Sequence, residues 1–537
     1  MRRTLGLASV FGIAICTVYV LTMPVIFPPD SDAIRWARWV EQPQPVWEGR
    51  HLLSWPLERA TYLAWRSVSG HTRAFLPMQF LHALSGAMAV ASLVVLQRLR
   101  GVRWRWAIAV GATVAFSYTW FEYGRSAHVR MPSTAVGLIT LMAALAIPLT
   151  KGHLLRPLAF LALGTALSTL LQTNGIAFVF AAAIVVACRV DARLPVKCVM
   201  GFLTLSASLT VVVACYALVW SYGIPADQRP ASPIEWVSAH PELSTLDVGL
   251  SPMQLARAGS GILRALGGES SVPEAVKSAL LGQGGTARLS GADCLAFASG
   301  SLALLLGCIA FFLCMFLPET RVDAIACASM LLLLGGFSLT WTGSDPWIWL
   351  APVAMLWHCV GLRTRHLPRA GLIKGLVMLL LACNMVSACR VVEAPAIVMS
   401  RSSQPVSSAL AYAAATTPDD LVIGFSGWTN WVHYGLQRKA LYLYEASFDP
   451  NWRDRLSSLL AGVRPPARIF VTEDVVRPRD VSTLDTWERV RRAHGMSPEE
   501  VRQILNAHGV LVYRDGMLPR EPLWELVRPT PKQGSRH

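Results

Sequence analysis

Asp30 and Asp32 stand just past the first long apolar run, in Phe27-Pro28-Pro29-Asp30-Ser31-Asp32. An ionised carboxylate held in position can take the proton from an attacking hydroxyl, general-base work worth roughly 10²–10⁴-fold in rate. Plain structural roles compete: Asp32 is a good N-cap for a helix over 33–41, and Asp30 suits the turn after Pro28-Pro29. A second group of side chains is cationic. Arg125, His128 and Arg130 fall within eleven residues between Trp120 and Arg130, and Arg50-His51 adds two more. Guanidinium groups bind phosphate through paired N–H donors. Contact with lipid headgroups is the ordinary alternative for Arg125, His128 and Arg130.

These residues need elements to position them, and composition says which kind. The chain has 537 residues, 53% of them apolar and only 15% charged, with a mean hydropathy of +0.43. There is too little charge for a water-facing skin, which excludes a purely soluble enzyme, and the apolar content excludes disorder. Eleven apolar runs approach the length that crosses ~30 Å of hydrocarbon: 5–27, 75–96, 104–121, 131–149, 154–171, 175–188, 198–222, 292–316, 322–341, 347–361 and 372–389. Arg2 and Arg3 before the first run set the N-terminus on the cytoplasmic side. Cytoplasmic loops then fall at 98–105, 151–156, 189–197, 318–321 and 363–374, and all but the fourth are rich in Lys and Arg. Much of the net charge of +15 therefore reports orientation and not a nucleic-acid partner. Arg125, His128 and Arg130 break the pattern, because their loop faces outward.

Three long segments are left outside: 28–74, 223–291 and a tail, 390–537. In the first, amphipathic stretches at 33–41 and 57–67 with Trp36, Trp39, Trp47, Trp55 and Trp65 predict helices lying on the bilayer surface. In the second, Pro225, Pro230, Pro233, Gly267, Gly268 and 282–285 predict mobility. The tail holds 19 Lys and Arg and 16 Asp and Glu in 148 residues, a jump in charge that marks a domain boundary at 390. It reads as a small α/β domain, with strands at 421–425, 468–471 and 509–513. A helix over 498–508 has Ser497 as N-cap and Glu500 at the capping-box position, and the segment after 523 is expected to fray. All eleven cysteines sit in or beside the apolar runs, as small buried residues and not as a disulfide framework.

The layout resembles the GT-C class of integral-membrane glycosyltransferases, which use polyprenyl-phosphate sugars and include protein mannosyltransferases and aminoarabinose transferases. The likeness rests on an acidic residue just past the first span, a long first outside loop with surface helices, about ten further spans and an outside C-terminal domain. The class carries an Asp-Glu pair there; here Asp30-Ser31-Asp32 takes its place and Ala33 replaces the Glu. The family's His/Pro segment resembles Arg50-His51-Leu52-Leu53-Ser54-Trp55-Pro56-Leu57. The resemblance implies that Asp32, with Asp30 as the alternative, is the base that activates an acceptor hydroxyl. It implies that Arg125, His128, Arg130 and Arg50 hold the carrier phosphate, and that His51 contacts substrate. It also implies a sugar- or lipid-contacting motif at Gly343-Ser344-Asp345-Pro346-Trp347, where Asp345 and Trp347 otherwise read as a polar turn with an aromatic anchor.

A sugar on a lipid phosphate already has a good leaving group, so no general acid is needed, unlike the two-carboxylate glycosidases. Attack opposite the phosphate inverts the anomeric carbon. The expected partners are a polyprenyl-phosphate sugar donor, a glycan, lipid or protein acceptor, and membrane lipids. No metal is expected to be required, although some relatives use a divalent cation. Two alternatives compete. One is a secondary transporter, for which His82 and Gln172 are the polar residues inside spans. The other is a non-catalytic scaffold for envelope polysaccharide assembly.

Overall fold

The computed structural model describes residues 2–23, 31–70, 73–147, 154–226, 252–268, 290–340, 345–366, 371–397, 415–425, 438–447, 451–478, 494–514 and 523–528, with single residues and short pieces between. The chain divides into two compact units. One comprises Met1–Met23, Trp39–Ala239 and Leu246–Val392; the other comprises Pro24–Arg38, His240–Thr245 and Glu393–His537.

The first unit is built from helices: α1 (Arg2–Leu21), α2 (Ser31–Glu41, which begins in the second unit), α3 (Ser54–Ser69), α4 (Phe75–Leu99), α5 (Trp104–Ala115), α6 (Tyr118–Arg125), α7 (Arg130–Ala146), α8 (Leu155–Leu171), α9 (Ile176–Arg189), α10 (Leu194–Leu218), α11 (Pro252–Gly267), α12 (Gly291–Phe316), α13 (Arg321–Thr340), α14 (Leu350–His366) and α15 (Gly371–Ile397). Among the described residues, α1, α4, α10 with the π-helical turn Val219–Gly223, α12, α13 and α15 are long and apolar enough to cross a membrane. A seventh span results if α6 and α7, bent by 120° at a four-residue break, count as one.

Six or seven such helices stand where the apolar runs suggest eleven, and the difference has physical causes. The run 104–121 is not one helix. α5 ends after 12 residues, about 18 Å, because Ser117 turns extended (φ −62°, ψ 147°) and its hydroxyl donates to the Val114 carbonyl (2.7 Å). The run 347–361 folds as a 3-10 turn, Pro346–Trp349, followed by α14. That helix is buried on every side from Leu350 to Thr364, the mark of a helix packed within protein and not against lipid. α8 and α9 are shorter apolar helices of 17 and 14 residues.

Close packing uses glycine at helix crossings. A Cβ on Gly267 of α11 would lie 2.1 Å from the Ala296 carbonyl of α12, and one on Gly300 of α12 would lie 2.6 Å from the Leu263 carbonyl. α12 starts with a capping box in which Ser290 Oγ accepts from Asp293 N (3.2 Å) and Asp293 Oδ2 accepts from Ser290 N (2.9 Å). About 27 Å along α4 from His82, Arg100 donates through Nε to Asp323 Oδ1 (3.1 Å) and pairs through Nη2 with Oδ2 (3.0 Å). His358 Nε2 lies 2.9 Å from the same carboxylate. This cluster ties the end of α4 and the start of α13 to α14 and pairs a fully buried carboxylate with a cation, as burial demands.

The tail folds around a mixed five-stranded sheet. Its strands are β1 (Leu421–Gly424), β2 (Lys439–Tyr442), β3 (Ile469–Thr472), β4 (Val510–Arg514) and β5 (Leu523–Val527), in the order β2-β1-β3-β5-β4. β1 runs parallel to β2 and β3, whereas β5 is antiparallel to β3 and β4. The short runs bury all four residues of β1 and β3, against α16 (Leu443–Ala446), α17 (Trp452–Gly462), α18 (Glu473–Val476) and α19 (Pro498–His508). α19 carries the capping box on Ser497 and Glu500. The expectation that the chain frays after 523 is overturned for 523–528, and 529–537 lie outside the described residues. Leu523, Trp524 and Leu526 are buried, and β5 pairs on both edges, so it lies inside the sheet. Asp420 fastens β1 to β3: it accepts from the N–H groups of Thr417 (2.8 Å) and Arg468 (2.7 Å) and from the Arg468 guanidinium (2.9 Å).

Candidate active site

The segment before α3 is stapled to the end of α8. Leu53 N donates to the Leu170 carbonyl (2.9 Å) and Thr173 N to the Arg50 carbonyl (3.0 Å). Ser54 Oγ donates to the Leu171 carbonyl (2.6 Å), and His51 Nδ1 lies 3.3 Å from the same oxygen. Tyr216 of α10 donates to the Gly49 carbonyl (2.5 Å). These bonds hold Arg50 and His51 at the α8–α9 junction. His51 is 7% exposed. Burial pushes its pKa down to about 3, with Arg130 and Arg50 adding to the effect against Glu48 and the Leu171 carbonyl, which raise it. His51 is therefore a neutral ring near pH 7, within electrostatic reach of Arg130.

The break between α6 and α7 places the next group. Arg125 ends α6 and is 3% exposed. Its Nη2 pairs with Glu122 Oε2 (2.9 Å), its Nη1 donates to the Thr22 carbonyl (2.6 Å), and its guanidinium lies 4.8 Å from the Phe121 ring. Arg125 thus braces α6 against the end of α1. His128 is buried edge-on to Tyr123 (5.1 Å, 89°). Arg130 opens α7, donates through Nε to His128 Nε2 (3.3 Å), and stacks its guanidinium 3.5 Å from the centre of the Trp347 ring. Among the described residues it has no carboxylate partner. The turn bearing Trp347 is itself fastened to α6, where Thr119 Oγ1 donates to the Pro346 carbonyl (2.8 Å) and Trp120 Nε1 to the Leu350 carbonyl (2.9 Å). Beside the stacked pair a small cleft opens between Ser133 and Thr134 of α7, Gln172 and Asn174, and Trp347 and Ile348.

The structure brings Arg50, His51, His128, Arg130 and Trp347 into one neighbourhood. Arg125 lies behind it in a closed ion pair, and Asp345 precedes the 3-10 turn, half-buried. Asp32 is the second residue of α2, inside the helix and not at its N-cap. It belongs to the second unit. Asp30, Gly343 and Ser344 lie outside the described residues. Among the described residues, no three His, Cys, Asp or Glu side chains converge to hold a metal ion.

Sequence reasoning did not find Glu58. It is 1% exposed on α3, a helix whose amphipathic pattern suggested a surface position, and its Oε1 lies 3.3 Å from His82 Nε2 of α4. Burial raises the Glu58 carboxyl well above its ordinary range. The one signal in the sequence was His82, a polar residue inside an apolar run.

No protein-family model and no curated protein matches the sequence. Solved structures do match. The archaeal oligosaccharyltransferase AglB from Archaeoglobus fulgidus, in complex with an inhibitory peptide and a dolichol-phosphate, aligns at 13% identity over 99% of this chain and 75% of that one, with a TM-score of 0.50. ArnT from Cupriavidus metallidurans aligns at 13% identity over 97% of this chain and 98% of that one, with a TM-score of 0.42. The S. cerevisiae protein O-mannosyltransferase Pmt1-Pmt2 complex aligns at 13% identity over 41% of this chain and 34% of that one, with a TM-score of 0.35. At such identities the likeness concerns the backbone, and on that ground the chain shares the fold of the GT-C class.

Proposed function

We propose that this chain is a membrane glycosyltransferase that moves a sugar from a polyprenyl-phosphate carrier to an acceptor hydroxyl. The observation that carries it is Arg130: a guanidinium at the start of a broken span, stacked on Trp347, beside a cleft and with no carboxylate partner among the described residues. That is the chemistry a lipid phosphate requires. The fold supports the assignment, since the archaeal oligosaccharyltransferase that shares it was solved with a dolichol-phosphate. Arg50 completes the cationic side with His128 beside Arg130 as a further phosphate-facing group, and neutral His51 serves as a hydrogen-bonding group toward substrate, with Asp345 and Trp347 bordering the sugar.

Asp32, or Asp30 in its place, removes the acceptor proton. Attack comes from the side opposite the phosphate, with inversion at the anomeric carbon. The site faces away from the cytoplasm at the cytoplasmic membrane, and the tail from 390 onward forms an outside domain. The test is mass spectrometry of lipid-linked and envelope glycans in cells with the wild-type chain, with Asp32→Asn and with no chain. The expected result is a glycan lost together with the chain and lost again in Asp32→Asn at unchanged protein level. An unchanged glycan profile on deletion defeats the assignment, and unchanged product in both Asp32→Asn and Asp30→Asn defeats the aspartate base.

A further inference from the structure

The buried pair Glu58–His82 has no place in the chemistry above, yet it sits against the residues that matter most. Gln79 and His82 lie three apart on α4 and so share one face. Gln79 Nε2 donates to the Arg125 carbonyl (3.1 Å). The His82 ring lies against the Ser126 backbone and within electrostatic reach of His128. One face of α4 thus supports the whole break, 126–129, from which His128 and Arg130 project. Glu58 closes the frame from the other side. Four residues before it on α3, Ser54 is bonded to Leu171, and the same staple holds Arg50 and His51.

Both side chains are at most 1% exposed, and neither Glu58 Oε2 nor His82 Nδ1 makes a hydrogen bond. A carboxylate–imidazolium pair with an oxygen and a ring N–H left open in an apolar interior is a costly arrangement. A neutral pair, in which the carboxylic O–H donates to His82 Nε2 and the remaining ring proton sits on Nδ1 toward the Ser126 backbone, leaves the same two atoms open but buries no charge.

We infer that Glu58 and His82 form an uncharged hydrogen-bonded strut between α3 and α4 that positions the α6–α7 break, and through it Arg130, for binding the phosphate of a polyprenyl phosphate. Glu58 is a positioning residue here, and the inference rests on the phosphate-binding role of Arg130. Because the strut needs a hydrogen bond and no charge, glutamine replaces Glu58 and leucine does not.

The experiment uses the full chain in phosphatidylcholine nanodiscs, with undecaprenyl phosphate as probe. Glu58→Leu is expected to weaken probe binding roughly tenfold, the scale of one buried hydrogen bond, and to speed amide hydrogen exchange at 126–130 more than in α12 and α13. Glu58→Gln is expected to bind within about twofold of wild type with wild-type exchange. If Glu58→Gln loses as much as Glu58→Leu, the pair is charged and the inference falls. If Glu58→Leu leaves exchange at 126–130 unchanged, there is no strut. The exchange measurement needs no activity: a wild-type chain that binds no probe refutes the phosphate role of Arg130, while the exchange data still decide whether the strut exists.

Discussion

Arg130→Gln separates phosphate recognition from folding. Arg130 spends one donor on His128 and stacks on Trp347 at 3.5 Å, which leaves its guanidinium edge for a ligand. Hydrogen bonds to a charged group are worth about 1.5–3 kcal/mol. Taking ~2 kcal/mol, loss of the charge weakens donor binding about 30-fold, while the half-buried side chain leaves no orphaned partner charge behind. Lys at the same position keeps the charge but loses the planar fork and the stacking, so a smaller loss is expected. Arg125 supplies the control. Its guanidinium is 3% exposed and paired to Glu122, and breaking a buried pair costs about 3–5 kcal/mol, so Arg125→Gln lowers the melting temperature whatever happens to binding. The assay is titration of purified protein with a polyprenyl phosphate, followed by Trp fluorescence or native mass spectrometry, beside a thermal melt. Arg130→Gln with wild-type affinity and a wild-type melt refutes the phosphate assignment.

Gly175→Ala should destabilise the bundle by roughly 1–3 kcal/mol or more, because the new Cβ falls 2.4 Å from the backbone carbonyl of Ser168 and backbone cannot yield; a thermal melt in detergent checks it. In the tail, burial alone would raise the Asp420 carboxyl, but the N–H groups of Thr417 and Arg468 and the Arg468 guanidinium outweigh burial and hold it below its ordinary range. A folded value below the unfolded one adds stability that is fully present above about pH 4 and is lost as pH falls through the folded value. Acid unfolding of the tail should therefore be steeper in wild type than in Asp420→Asn, read by the fluorescence of Trp452, Trp487 and Trp524. His51 titrates near 3, so the pH profile of donor binding between 5 and 8 should be the same in His51→Gln as in wild type, after scaling for any loss of affinity.

What was legible in the sequence depended on whether the signal was local. The capping boxes at Ser290 and Ser497 are set within four residues; that on α19 is readable directly. β1 and β3 are short apolar runs bounded by turn residues, and they fold as such. β2 and β5 were not read. Lys439–Tyr442 has a mixed pattern whose place in the sheet comes from pairing with β1, and Leu523–Val527 gains its burial from two neighbours distant in sequence. The turn at Ser117 was invisible for a related reason. Hydropathy counts apolar residues along a run and is blind to direction, so 104–121 scores as one span although its end turns away at Ser117.

The same distinction governs the site. Arg125 and Arg130 are five residues apart, both guanidinium and both on the side where the positive-inside pattern does not expect them. Their sequence context makes them equal candidates, and the structure makes them unlike. The carboxylate that neutralises Arg125 lies one helical turn back on its own helix, at Glu122. The partner of Arg130 is Trp347, more than two hundred residues away. A local ion pair uses a cation up, whereas an aromatic face holds a cation in place and leaves its charge available for an anion. The cation best suited to a phosphate is thus the one whose resting partner is a ring, a property that appears only once the chain has folded.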